Sequence, residues 1–157
     1  MNKQDKKTTI SVWLIVKDGK NIGKSPLQKR IPEESYPFIC QSSWAGKIEQ
    51  GEEIIDAVKR ECEEELGKDF SDGFDFSSLK FISETEDKHW MSYNFLGYIT
   101  ENQLSKVDMH KDAHPEFIFV SKDDVFFPES SLESPEKNIV LFNSQYNILK
   151  EILNNGN

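Results

Sequence analysis

Between Gly46 and Lys68 the chain reads GKIEQGEEIIDAVKRECEEELGK, seven glutamates in 23 residues. Such a density has two chemical readings: a solvated helix surface, or carboxylates gathered around something positive. The readings separate by where each glutamate falls around a helix, at about 100° per residue. With Glu61 set to zero, Ile54 lies at about +20°, Ala57 at about −40° and Val58 at about +60°, one apolar stripe. Glu65 at about +40° and Glu64 at about −60° continue that stripe. Glu52, Asp56, Lys59 and Glu63 gather on the opposite side, where Lys59 and Glu63 make an i,i+4 pair of opposite charge. Solvation therefore accounts for Glu52, Asp56 and Glu63 but not for Glu61, Glu64 and Glu65. Grouping three carboxylates on a core-facing side is costly unless a cation compensates them. Arg60 alone is too little for three. Hard divalent cations bound by oxygen ligands, with Mg²⁺ the usual one beside phosphates, are the economical answer.

The elements that must hold this stretch are partly readable. The spacing predicts a helix from Glu52 to Leu66, with Gly67 as its stop. Ile10–Val16 is an apolar, β-branched run ended by Lys17-Asp18-Gly19-Lys20, a buried strand entering a hairpin whose return is interrupted by Pro26. Residues 31–45, with Pro32 and Pro37, read as a long loop. Strands are expected at Leu79–Glu84, His89–Thr100 and Glu116–Val120. Residues 69–75 form a turn, 101–115 a polar loop and 121–124 a short helical turn. Ser134-Pro135-Glu136 looks like the N-terminus of a closing helix that carries Ile139, Phe142, Tyr146, Leu149 and Leu153. Strands alternating with two main helices give a mixed α/β domain over residues 8–157, preceded by a loose segment at residues 1–7.

The whole chain of 157 residues has a formal net charge of −9 and 36% hydrophobic residues. That charge disfavours binding to long nucleic acid, which needs a cationic surface, but not small phosphorylated ligands carried with a divalent ion. Two cysteines far apart, Cys40 and Cys62, argue for reduced thiols, and no apolar leader or membrane-length run is present. The expectation is a soluble, cytoplasmic protein.

The glutamate stretch resembles the Nudix box, G-x5-E-x7-R-E-U-x-E-E-x-G-U, where U is bulky and aliphatic. Gly46, Glu52, Arg60, Glu61, Glu64, Glu65 and Gly67 occupy its fixed positions with the right spacing. Cys62 and Lys68 depart at U positions, and Trp44-Ala45-Gly46 stands where the family often has Pro-Gly-Gly. The resemblance implies an α/β/α sandwich with a mixed sheet and hydrolysis of a pyrophosphate bond in a nucleoside diphosphate joined to another group. It also implies Mg²⁺ or Mn²⁺ held by Glu61, Glu64 and Glu65, with the backbone carbonyl of Ala45 and the carboxylate of Glu116 as further ligands. Arg60 and Glu52 would pair to fix the turn into the helix. A homodimer is compatible with the family.

Other residues carry weaker signals. Trp44 is read either as a base-stacking residue or as a core anchor. Trp90, Tyr93 and Phe95 are taken to alternate along one strand, where they could reach a nucleobase or, the favoured reading, pack as core. His110 and His114, at i,i+4, are read as loop residues rather than metal ligands, and residues 69–75 do not match a calcium loop. The rival readings are an isopentenyl-diphosphate isomerase, with Cys40 as its catalytic cysteine, and a nucleotide-sensing module without turnover.

Overall fold

The computed structural model describes residues 6–88, 90–109 and 117–155. Glu116, His110 and His114, and most of the expected loose N-terminus, lie outside the described residues. Lys7, placed in that loose segment by the sequence, instead opens a strand.

Strand β1 (Lys7–Val16) is the axis of the molecule. It pairs in parallel with β6 (Trp90–Ile99) and antiparallel with β4 (Trp44–Lys47), and β5 (Lys80–Glu86) closes the other side of β6. The order β4-β1-β6-β5 makes one mixed sheet. A second mixed sheet has the order β7-β2-β3-β9-β8, from Ile118–Val120, Ser25–Lys29, Cys40–Gln41, Ile139–Leu141 and Phe126–Pro128. The apolar run of β1 is continuous because both its faces are covered. Ile10, Val12, Leu14 and Val16 pack under helix α1 (Ile54–Leu66) with Ala57, Val58, Cys62 and Leu66. Trp13 and Ile15 point the other way, into a core with Leu27, Leu141 and the Ile148, Leu149, Ile152 and Leu153 stripe of helix α4 (Asn143–Asn155). The expected α/β sandwich is present, with two mixed sheets rather than one.

Five sequence expectations change. Residues 31–45 are not all loop, since β3 and the start of β4 lie within them; strands this short have no alternation to read, and pairing to β2 and β1 specifies them. The return after β1 is tied to it at the turn, Val16 N–H to the Lys24 carbonyl, but β2 then leaves for the second sheet. Pro26 is tolerated there because β3 covers only Gln28 and Lys29, so the missing N–H falls on an open side. The helical start at Ser134 is a tight turn instead: Ser134 C=O accepts from Lys137 and Asn138, and Ile139–Leu141 joins β8 and β3 in parallel before α4 begins. Residues 68–73 form a helical turn, α2 (Lys68–Gly73), because Phe70 must be buried beneath Trp44. A short α3 (Glu101–Leu104) occupies part of the expected polar loop, with Thr100 and Gln103 capping each other.

Candidate active site

The local geometry begins at Gly46. A Cβ at this position would collide with Glu61 Cδ and with both its carboxylate oxygens. Only a residue without a side chain lets α1 set Glu61 directly on β4. At the other end of α1, Gly67 takes φ +93° and returns its N–H to the Glu63 carbonyl, a stop that non-glycine residues rarely adopt.

Arg60 then distributes charge. Its Nε and Nη2 donate to the two oxygens of Glu52 at 2.8 and 3.0 Å, a bidentate fork. Nη2 also reaches the Lys47 carbonyl at 2.8 Å, which ties the helix to the end of β4. Nη1 donates to Glu61 at 2.7 Å and stands 3.4 Å from Glu64. Glu52 accepts a further bond from the Glu49 N–H at 2.9 Å. The Arg60 guanidinium, with that amide, holds the Glu52 carboxyl down to about 2, and the same pair raises Arg60 above its ordinary value.

Glu65 has no such cation. Its Oε1 accepts from Gln28 Nε2 at 2.9 Å, and Gln28 is itself fixed by the Ser43 carbonyl at 2.7 Å. Burial, and then the hydrogen bond with Glu61, push Glu65 well above the usual carboxylate range, against the pull of Gln28 and the Ala45 N–H. The Ile48 N–H bond to the Thr8 carbonyl sets the register of β4. By alternation, Ala45 opposite Ser11 turns both its backbone groups away from β1, toward the free edge of the sheet. Its carbonyl therefore lies along the edge where its N–H meets Glu65.

The side-chain exposure of Glu61 is 14% and that of Glu64 is 48%. Glu64 and Glu65 line a cleft of about 900 Å³, whereas Glu61 sits behind it on Gly46. Among the described residues no group of three or more His, Cys, Asp or Glu is gathered closely enough to hold a metal ion; Glu61 and Glu64 are drawn to Arg60 instead. The donors nevertheless fit a hard cation: they are all oxygens, and Glu65 and Glu61 sit against each other with too little positive charge between them.

The cleft floor is the polar half of β1 and its neighbours: Thr9, Ser11, Ala45, Lys47 and Ser92. Thr9 and Ser92 share a 2.6 Å hydrogen bond, and Gln145 Nε2 donates to Ser11 at 3.3 Å. Its far wall carries Arg30, Tyr36, Phe142 and Gln145. The long loop after β2 thus contributes to the cleft through Tyr36. Gln28 and this wall were not foreseen from sequence. The one local signal was Thr9 and Ser11, small polar residues on the face of β1 that Trp13 and Ile15 make apolar farther along.

Two aromatic readings are corrected. Trp44 is fully buried, donates Nε1 to the Val58 carbonyl at 3.0 Å and meets Phe70, Phe74 and Phe76 edge-on, so its ring anchors α1 and cannot stack on a ligand in the cleft. Trp90 is three residues from Tyr93 and so lies on the opposite face of β6. Trp90 lines the cleft, while Tyr93 and Phe95 pack toward α1.

A family model described as "NUDIX domain" matches residues 7–141. The chain belongs to the Nudix family. Nudix membership makes it a pyrophosphohydrolase in general type. The Nudix fold recurs in solved structures of low sequence identity. One is a MutT protein from Methanosarcina mazei Go1, 14% identical with a TM-score of 0.64, covering 99% of this chain and 98% of that one. Another is a Nudix-family hydrolase from Clostridium perfringens, 17% identical with a TM-score of 0.56, covering 95% and 97%. A MutT/nudix family protein from Enterococcus faecalis is 14% identical with a TM-score of 0.63, covering 98% of this chain and 64% of that one. No curated protein matches the chain by sequence. No helix among the described residues is long and apolar enough to cross a membrane.

Proposed function

We propose that this Nudix chain hydrolyses a pyrophosphate bond in a small nucleotide, with Mg²⁺ or Mn²⁺ held by Glu61, Glu64, Glu65 and the carbonyl of Ala45. The observation that carries the proposal is the arrangement around Gly46: Glu61 and Glu65 brought together at one sheet edge, with Glu65 facing a cleft of substrate size. When bound, the metal would neutralise the phosphate oxygens and the charge that develops as the P–O bond breaks. Glu61, packed behind the cleft, secures the cluster from the helix side. Glu64 or Glu65, both lining the cleft, orients the attacking water and accepts its proton. Arg60 and Glu52 fix the turn that presents the helix, and Gln28 holds the Glu65 carboxyl in place. Glu116 remains part of the proposal only as a candidate further ligand.

The isomerase rival loses its support. Cys40 is fully buried and burial pushes its thiol up to about 11, so no thiolate is available to act on a substrate. The sensing-module rival is separated by turnover alone. Phosphate-containing products are measured from a panel of nucleoside triphosphates, ADP-ribose, nucleotide sugars and dinucleotides, with Mg²⁺, with Mn²⁺ and with chelator. Metal-dependent cleavage of at least one compound is expected. Nucleotide binding without cleavage of any of them would turn the reading to a sensor.

A further inference from the structure

The cleft has a second charged feature, next to the Arg60 network, whose guanidinium reaches the Lys47 carbonyl. Lys7 faces Trp90 across the β1–β6 pair, and Lys47 faces Thr9 across the β1–β4 pair. All three side chains therefore stand on the cleft side of the sheet. Lys7 Nζ lies 5.4 Å and Lys47 Nζ 6.0 Å from the centre of the Trp90 ring. The ammonium groups are near enough that Lys47 lowers the proton affinity of Lys7, the repulsion expected of two cations without an anion between them. Among the described residues neither makes an ion pair, whereas Arg30 is paired with Glu34 and Arg60 with several glutamates. In a chain of net charge −9, two adjacent unpaired cations, Lys47 lining the cleft and Lys7 exposed beside it, call for an anionic ligand.

The placement also says which anion. Lys47 follows Gly46, the residue on which Glu61 rests, so the lysine site adjoins the carboxylate edge. Lys7 is three positions from Ile10, the partner of Gly46, or about 10 Å along a strand rising about 3.3 Å per residue. A phosphate chain running from the carboxylates along the cleft floor would bring its last group to these lysines. Two ammoniums match a terminal phosphate, which carries close to two negative charges at neutral pH, better than an internal diester with one.

We infer that Lys7 and Lys47, set over the indole of Trp90, form a subsite for a terminal phosphate of the substrate. This deepens the proposed hydrolysis, resting on the cleft as the place where substrate lies, and favours substrates that end in a phosphate over those that end in a sugar or a second nucleoside. Trp90 is itself the reporter, because Trp13 and Trp44 are fully buried. Inorganic tripolyphosphate is titrated in chelator against tryptophan emission, with wild type, Lys7→Gln, Lys47→Gln and Trp90→Phe, and ADP-ribose binding is measured by calorimetry on the same proteins. Tripolyphosphate should give a saturable change in the wild type, absent in Trp90→Phe and weakened about fivefold or more by either lysine change, the size of an exposed charge contact. ADP-ribose affinity should be the same in wild type and Lys7→Gln. No emission change in the wild type, a change that survives in Trp90→Phe, equal tripolyphosphate affinity in wild type and Lys7→Gln, or an equal loss for ADP-ribose would each overturn the inference. The titration needs no turnover, so its failure leaves the hydrolysis reading standing, and a failure of hydrolysis leaves the subsite to be judged on its own.

Discussion

At the scale of single residues, the site is a contrast between two glutamates. Glu52 is satisfied by a bidentate arginine and an amide, and its carboxyl is held down to about 2 from an ordinary 4.5. A carboxyl with a depressed folded pKa contributes stability that is present above the unfolded value and is lost as pH falls toward the folded one. Wild type should therefore be more stable than Glu52→Gln at neutral pH, and the gap should close between pH 4.5 and about 2. Unfolding midpoints followed across that range check it; a gap that persists unchanged at pH 2 would mean that Glu52 acts by shape and not by charge. Glu65 is the opposite case, a partly buried carboxyl beside Glu61, raised in its pKa by burial and by its neighbour. Its location favours the cation that the proposed chemistry requires.

At the scale of elements, Trp44 is the pin that joins β4, α1 and α2, through one hydrogen bond to Val58 and three ring contacts. Trp44→Phe keeps the apolar ring but loses the bond and part of the volume. It should cost about 1–3 kcal/mol, a fall in Tm of roughly 2–12 °C for a chain of this size, with KM unchanged. A KM that rises while Tm holds would restore the stacking role that burial denies. The long elements were legible because their patterns are local: β1 is an unbroken apolar run, β6 and α1 carry their own periodicity, and the helical angle alone put Glu61 and Glu65 on one side of α1. The short strands β3, β4, β8 and β9 were not, since two to four residues have no period and are specified by distant partners. In the site, the helix glutamates and Gly46 could be read from the box. Gln28, Tyr36, Phe142 and Gln145 could not, because the folding of two sheets around β1, and not sequence spacing, brings them to the cleft.

At the scale of the whole molecule, β1 divides the protein into two cores and exposes only its polar end, so that carboxylate edge, cleft floor and lysine pair are all positioned by one strand. The two cysteines lie one in each core, Cys62 on the buried face of α1 and Cys40 against α4, with thiols pushed up to about 12 and about 11 by burial. Iodoacetamide at neutral pH should label neither in the native protein and both in denaturant, as read by intact mass. Native labelling of Cys40 would reopen the isomerase reading. The central claim is that the Glu61–Glu65 cluster performs metal-dependent hydrolysis, and it is tested most directly by the turnover of the best panel substrate in wild type and Glu65→Gln at saturating Mg²⁺. In Glu65→Gln kcat should fall by about a hundredfold or more with the fold intact, the scale of removing a group that acts in the transition state. A kcat within about threefold of wild type, against that hundredfold scale, would contradict the claim and move the chemistry away from this cluster.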